Sequence, residues 1–158
     1  MASGALDELA RRFRDTSLPK EEWTHAAHLR VGAWHVDRHG AEEALRILRD
    51  GIPRLNDSHG TPNTETSGYH ETITVAYVRL IASYLEAVRE PASLEDRVEC
   101  LLAGPLGERA VLLSYWSQET LMSPRARLEW VPPDRAPLAL PAGGTASGGR
   151  RTSPPRDV

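Results

Sequence analysis

The fold turns on one stretch: Tyr69-His70-Glu71-Thr72-Ile73-Thr74-Val75-Ala76-Tyr77-Val78-Arg79-Leu80-Ile81-Ala82-Ser83-Tyr84-Leu85-Glu86-Ala87-Val88-Arg89. Within it Ile73, Ala76, Tyr77, Leu80, Ile81, Tyr84, Leu85 and Val88 recur at steps of three and four. That spacing gathers them on one side of an α-helix. The branched residues from Thr72 to Val75 lend the start some strand character, but the longer helical period outweighs it. Pro91 follows the predicted end. A helix this apolar needs other helices to cover it.

Such partners are legible on both sides. Ala5 to Arg14 predicts a short helix with Leu6, Leu9, Ala10 and Phe13 on one face. Asp7 and Glu8 sit early and Arg11, Arg12 and Arg14 late, which suits the helix dipole. A second helix ends at His39 before Gly40, starting either at Pro19 or after Thr24 as N-cap. Gly32 inside it costs roughly 1 kcal/mol against alanine, and close packing on another helix is one reason to carry it. A third spans about Ala41 to Arg54, with Gly51 and Pro53 blurring its last turn. Asn56 to Gly68 is a long loop, a kind that is often functional.

Ser93 caps a further helix reaching Ala103, with Asp96 three residues on. Glu108 to Trp116 predicts another, and Ser117 to Met122 a turn or short helix. From Ser123 the chain reads as irregular, because Pro124, Pro132, Pro133 and Pro137 interrupt it. Trp130, Val131, Leu138 and Leu140 are suited to pack this arm. Residues 141–158 are rich in Gly, Ser, Pro and Arg and are predicted to be disordered. The resulting expectation is all-α: a compact bundle of about five or six helices in a single domain over 1–140, with an irregular C-terminal arm.

Bulk properties narrow the function. The 158 residues suit one domain with its own core. A net charge of -3, with arginines interleaved among acids, gives no reason to expect nucleic acid. Cys100 is the single cysteine, so an intrachain disulfide is excluded, and its apolar setting predicts a buried small side chain. No apolar run approaches the ~18 residues of a membrane span, and no apolar targeting segment opens the chain. A cytoplasmic protein acting on a small molecule is the expectation. No zincin motif, phosphate-binding glycine loop or Gly-x-Ser-x-Gly elbow is present.

All six histidines lie between residues 25 and 70. His25, His28, Gly32, His35 and His39 fall near one stripe of the second helix. His25 and His28, three apart, share a face and can reach a common ion. His70 opens the long helix, beside Glu71. Three such points leave a coordination position open for water, as at catalytic zinc or non-haem iron centres. The leading expectation is therefore a divalent transition metal (Zn, Fe, Co, Ni or Cu) on His25, His28 and His70, with Glu71 moving a proton in hydrolysis or elimination. Arg127, followed by Leu128 and Trp130, is expected to act as an anion clamp on the substrate. Two alternatives stand beside this. One is a metal-free acid–base enzyme built on His70 and Glu71. The other is a non-enzymatic ligand- or partner-binding protein, whose marker is an apolar groove with the histidines individually hydrogen-bonded.

Trp23-Thr24-His25-Ala26-Ala27-His28-Leu29, Ala33-Trp34, Gly68-Tyr69-His70-Glu71-Thr72-Ile73-Thr74 and Ser123-Pro124-Arg125-Ala126-Arg127 together resemble a little-characterised group of small bacterial proteins. The resemblance covers roughly residues 20–140. It implies the extent of the domain and carries no activity.

Overall fold

The computed structural model describes residues 3–90 and 93–138. The predicted tail at 141–158 and Leu140 lie outside them. Five helices form the body: α1 (Ser3–Arg14), α2 (His25–His39), α3 (Ala41–Ser58), α4 (Glu71–Ala87) and α5 (Leu94–Ala103). Two short helices follow, α6 (Gln118–Leu121) and α7 (Pro124–Leu128), with 3₁₀ turns at Lys20–Glu22, Pro105–Gly107 and Val111–Ser114. No strand occurs among the described residues, and the all-α expectation holds.

The long helix is central because it is apolar on two sides. Val78, Ile81 and Leu85 enter the main core with Phe13 of α1, Leu29 of α2, Leu48 and Leu55 of α3 and Leu101 of α5. Ala76 and Leu80 enter a second core built on Leu112, Trp116 and Leu121. Two glycines let the helices approach closely. A Cβ on Gly32 would stand 3.1 Å from the Ile81 side chain, where α2 meets α4. A Cβ on Gly51 would meet the buried Phe13 ring at 2.6 Å.

The second helix takes the later of its two predicted starts, after Thr24, whose hydroxyl accepts the Ala27 N–H at 3.2 Å. Several other boundaries differ from expectation, each for a physical reason. α3 runs past Pro53 to Ser58. Burial of Leu55 and Asn56 offsets the hydrogen bond that Pro53 cannot donate. Glu108 to Trp116 forms only a 3₁₀ turn. Arg135 takes the carbonyls that a longer helix would use, with its N–H on Tyr115 at 2.9 Å and its guanidinium on Leu113 at 2.7 Å. α7 forms although Pro124 begins it. Proline is tolerated at a first helical position, and Ser123 caps the turn by accepting the Ala126 N–H. Cys100 is exposed rather than buried. Val98 and Leu101 are the inward positions of α5, and Cys100, two residues beyond Val98, points the other way.

The arm after α7 is tied down along its length. The Trp116 indole N–H donates to the Val131 carbonyl at 2.9 Å. Thr72 donates to the Glu129 carbonyl and accepts the Val131 N–H, at 2.8 and 3.1 Å. Asp134 accepts from the Ser117 backbone and from the hydroxyls of Ser117 and Thr120. These ties hold α6 and α7 beside the N-terminal end of α4, over the histidine-bearing side of the bundle. No helix among the described residues is long and apolar enough to cross a membrane.

Candidate functional site

Two adjoining cavities open on that side. The larger, about 560 Å³, lies between α2, α4 and the segment from Arg109 to Met122. Its wall is mostly apolar, with Leu29, Val78, Ile81 and Leu112 among its aliphatic residues and His25, His28, Tyr77 and Arg109 supplying polar atoms. The smaller, about 440 Å³, also has a mainly apolar surface but carries more polar residues, with Lys20, His59, Tyr69, His70 and Arg127 in its lining. Trp23, His28, Ile52, Ile73, Thr74 and Met122 line both.

His28 sits at this boundary. Its ring stacks on the Trp23 indole, centroids 3.7 Å apart. Nδ1 is 2.7 Å from the Thr24 carbonyl. A carbonyl can only accept, so Nδ1 carries the proton and Nε2 is the ring's acceptor. The ring has free area, yet protein surrounds it; what it is exposed to is the cavity. Burial there pushes its pKa down to about 4, more than the Thr24 carbonyl raises it, and His25 and Arg109 push the same way. His25 meets the Tyr77 ring edge-on at 5.6 Å. Its Nε2 is enclosed without a hydrogen-bond partner. Burial lowers its pKa too, and Arg109 adds to the effect. At neutral pH both imidazoles are uncharged.

His70 lines the smaller cavity together with His28. It is the N-cap of α4, and its Nδ1 accepts the Ile73 N–H at 3.2 Å. Its Nε2–H donates to the Leu121 carbonyl at 2.7 Å. Both ring nitrogens are therefore engaged within the protein, and a metal would have to displace a helix cap or a buried tie. Burial, together with the nearby Arg127, keeps the ring neutral. Among the described residues no group of three or more His, Cys, Asp or Glu side chains is arranged to hold a metal ion. The structure thus brings His25 and His28 to the wall of the larger cavity and His28 and His70 to that of the smaller, without gathering the three into one metal-holding group.

Glu71 is likewise occupied. One carboxylate oxygen accepts from Arg49 and the other from the Tyr69 hydroxyl. Glu71 lines neither cavity. Burial, then the Glu71 carboxylate, raises the Tyr69 pKa, so Tyr69 remains the donor. His70 and Glu71, the expected acid–base pair, are each engaged in separate contacts within the protein. Arg127 does reach a cavity: it is half-buried in the wall of the smaller one, with Nη1 on the Gly68 carbonyl at 2.8 Å.

The other histidines divide. His35 is fully buried in the main core, its Nδ1 donating to the Val31 carbonyl at 2.7 Å and its Nε2 unpartnered. It packs against Phe13 and Trp34. His59 donates from Nε2 to the Leu18 carbonyl at 2.7 Å. His39 is exposed at the end of α2. The stripe seen in the sequence therefore serves two environments, cavity at one end and core at the other. Sequence reasoning passed over Lys20, Tyr77 and Arg109. Tyr77 lay on the predicted apolar face of α4. Lys20 and Arg109 carried no local signal, since only the fold brings them to the cavities. No family model, curated protein or solved structure matches the chain.

Proposed function

We propose that this is a small-molecule-binding helical protein whose ligand buries an apolar body in the larger cavity. The observation that carries the reading is a cavity of about 560 Å³ with a mainly aliphatic and aromatic wall, flanked by neutral imidazoles that do not share a task. Its volume falls in the range of roughly 300–1,000 Å³ used for small ligands. An apolar cavity this large leaves wall atoms without packing partners, and a ligand restores those contacts. Among the expectations, the non-enzymatic ligand-binding alternative is the one this geometry supports best.

A metal-dependent hydrolase or lyase on His25, His28 and His70 has less support. It would require His70 to surrender both of its hydrogen bonds, and Arg109 near His25 and His28 disfavours a dication as it disfavours protonation. One observation favours an acid–base enzyme as a second reading. His28 holds its Nδ1 proton on Thr24 and keeps Nε2 as an acceptor at the cavity boundary, the arrangement a general base uses. Its low pKa makes it a weak base, so binding remains the primary reading.

The test is calorimetric titration with decanoate, chosen as a flexible apolar probe. The wild type is expected to bind near one equivalent with a negative heat-capacity change. Ile73→Trp, which fills the junction of the two cavities, is expected to weaken binding at least about tenfold, roughly 1.4 kcal/mol. No heat of binding to the wild type, or an unchanged affinity in the folded variant, would overturn the reading.

A further inference from the structure

We propose that the two cavities are lobes of one site and that its ligand is an anionic amphiphile: the apolar chain lies in the larger lobe and the anionic head meets Lys20 and Arg127 in the smaller. This rests on the ligand-binding reading of the larger lobe and adds the chemical class of the ligand.

Continuity is the first argument. Trp23, His28, Ile52, Ile73, Thr74 and Met122 line both lobes, so a single molecule can pass between them. Charge is the second. The chain has 22 Asp and Glu residues and a net charge of -3, yet no Asp or Glu lines either lobe. The charged side chains there are Lys20 and Arg127 in the smaller lobe and Arg109 in the larger. A wall carrying one sign of charge attracts the other.

The state of these cations is the third argument. Arg125, two residues before Arg127, is paired with Glu129; Arg12 is paired with Glu22 and Arg49 with Glu71. Among the described residues, Arg127 bonds only a backbone carbonyl and neither it nor Lys20 has a carboxylate partner. Several other polar groups of the smaller lobe are already engaged. Tyr69 donates to Glu71, while His59 and His70 donate to carbonyls. The charged donors left for a ligand are the ammonium of Lys20 and the remaining N–H groups of the Arg127 guanidinium, a fork suited to a carboxylate.

The experiment compares head groups on one chain. Calorimetry at pH 7 and low salt is run with decanoate and with decanol on the wild type, Lys20→Met and Arg127→Met. The wild type is expected to bind decanoate at least tenfold more tightly than decanol, a preference that falls as salt is added. Each substitution is expected to weaken decanoate severalfold and leave decanol unchanged. Arg127 also ties the Gly68 carbonyl, so Arg127→Met is checked for folding by circular dichroism. Lys20 is exposed on a 3₁₀ turn, and Lys20→Met carries the test if the other variant unfolds. Equal binding of decanoate and decanol by the wild type would overturn the head-group assignment and leave the apolar cavity standing. Unchanged decanoate affinity in Lys20→Met and in folded Arg127→Met would also overturn it. Binding of neither probe would overturn the cavity reading, and this inference with it.

Discussion

At the scale of single residues, His70 separates what the sequence could tell from what it could not. Three histidines near a helix start and a carboxylate beside one of them form a pattern that metal sites share. The same letters serve here as a cap, because an imidazole Nδ1 can accept an N–H as a Ser or Asp oxygen does. Nothing in a sequence distinguishes the two uses; the position of Leu121, 51 residues away, does. His70→Ala is expected to cost about 1–3 kcal/mol in urea denaturation, through loss of the cap and of the Leu121 contact. His70→Asn, which retains a capping acceptor, is expected to recover part of that. Protein purified without a histidine tag is expected to carry far less than one equivalent of Zn, Fe, Co, Ni or Cu by elemental analysis; a value near one would contradict this account of His70. The neutral imidazoles also predict a pH dependence. His28, His25, His35 and His70 all have folded pKa values below the ordinary 6.5, from burial first in each case. The unfolded chain then binds more protons, so stability rises with pH. The contribution is complete above about 6.5 and falls as pH drops below that, with His28 losing its share down to about 4. Urea midpoints measured between pH 7.5 and 4.5 are expected to fall steadily on the acid side.

At the scale of elements, most of the fold was legible because the 3.6-residue period is a strong signal over long helices. The periods of α1, α2 and α4 and the Ser93 cap of α5 were all readable. The misread elements are short or carry a proline, where local rules conflict with distant anchors: α3 past Pro53, the 3₁₀ turn before Trp116, and α7 behind Pro124. Gly51 shows how an anchor decides. Alanine there would gain about 1 kcal/mol of helix propensity. Its Cβ would also strike the Phe13 ring at 2.6 Å, and that ring is fully buried beside Trp23 and His35. Overpacking of a rigid core costs roughly 1–3 kcal/mol, so Gly51→Ala is expected to destabilise on balance. A raised melting temperature in that variant would show that the ring can yield. Thr72→Val tests the arm, since it removes a hydroxyl that accepts the Val131 N–H and donates to Glu129. A loss of about 1–3 kcal/mol is expected, with early proteolysis within residues 123–138.

At the scale of the whole molecule, α4 packs into two cores and a cavity remains where they meet, lined by Leu29, Val78 and Ile81 of the first and Leu112 and Leu121 of the second. The aromatic run of His28, Trp23 and Phe13 joins the first core to that cavity, since Trp23 stacks on both neighbours. The sequence pointed to His25, His28, His70 and Arg127, which line the cavities, but not to the cavities themselves, because volume is a property of how elements meet. It also gave no sign that acids are absent from the wall, since Lys20 and Arg109 are 89 positions apart in sequence. A bound ligand should stabilise the fold by mass action, and the melting temperature is expected to rise with decanoate concentration. The most direct measurement is of intermolecular nuclear Overhauser effects between decanoate and isotope-labelled protein. The account predicts contacts from the terminal methyl to Leu112 and Val78 and from the protons beside the carboxylate to Met122 and His28. Contacts confined to exposed apolar side chains such as Leu128, or the chain lying in the reverse direction, would contradict it.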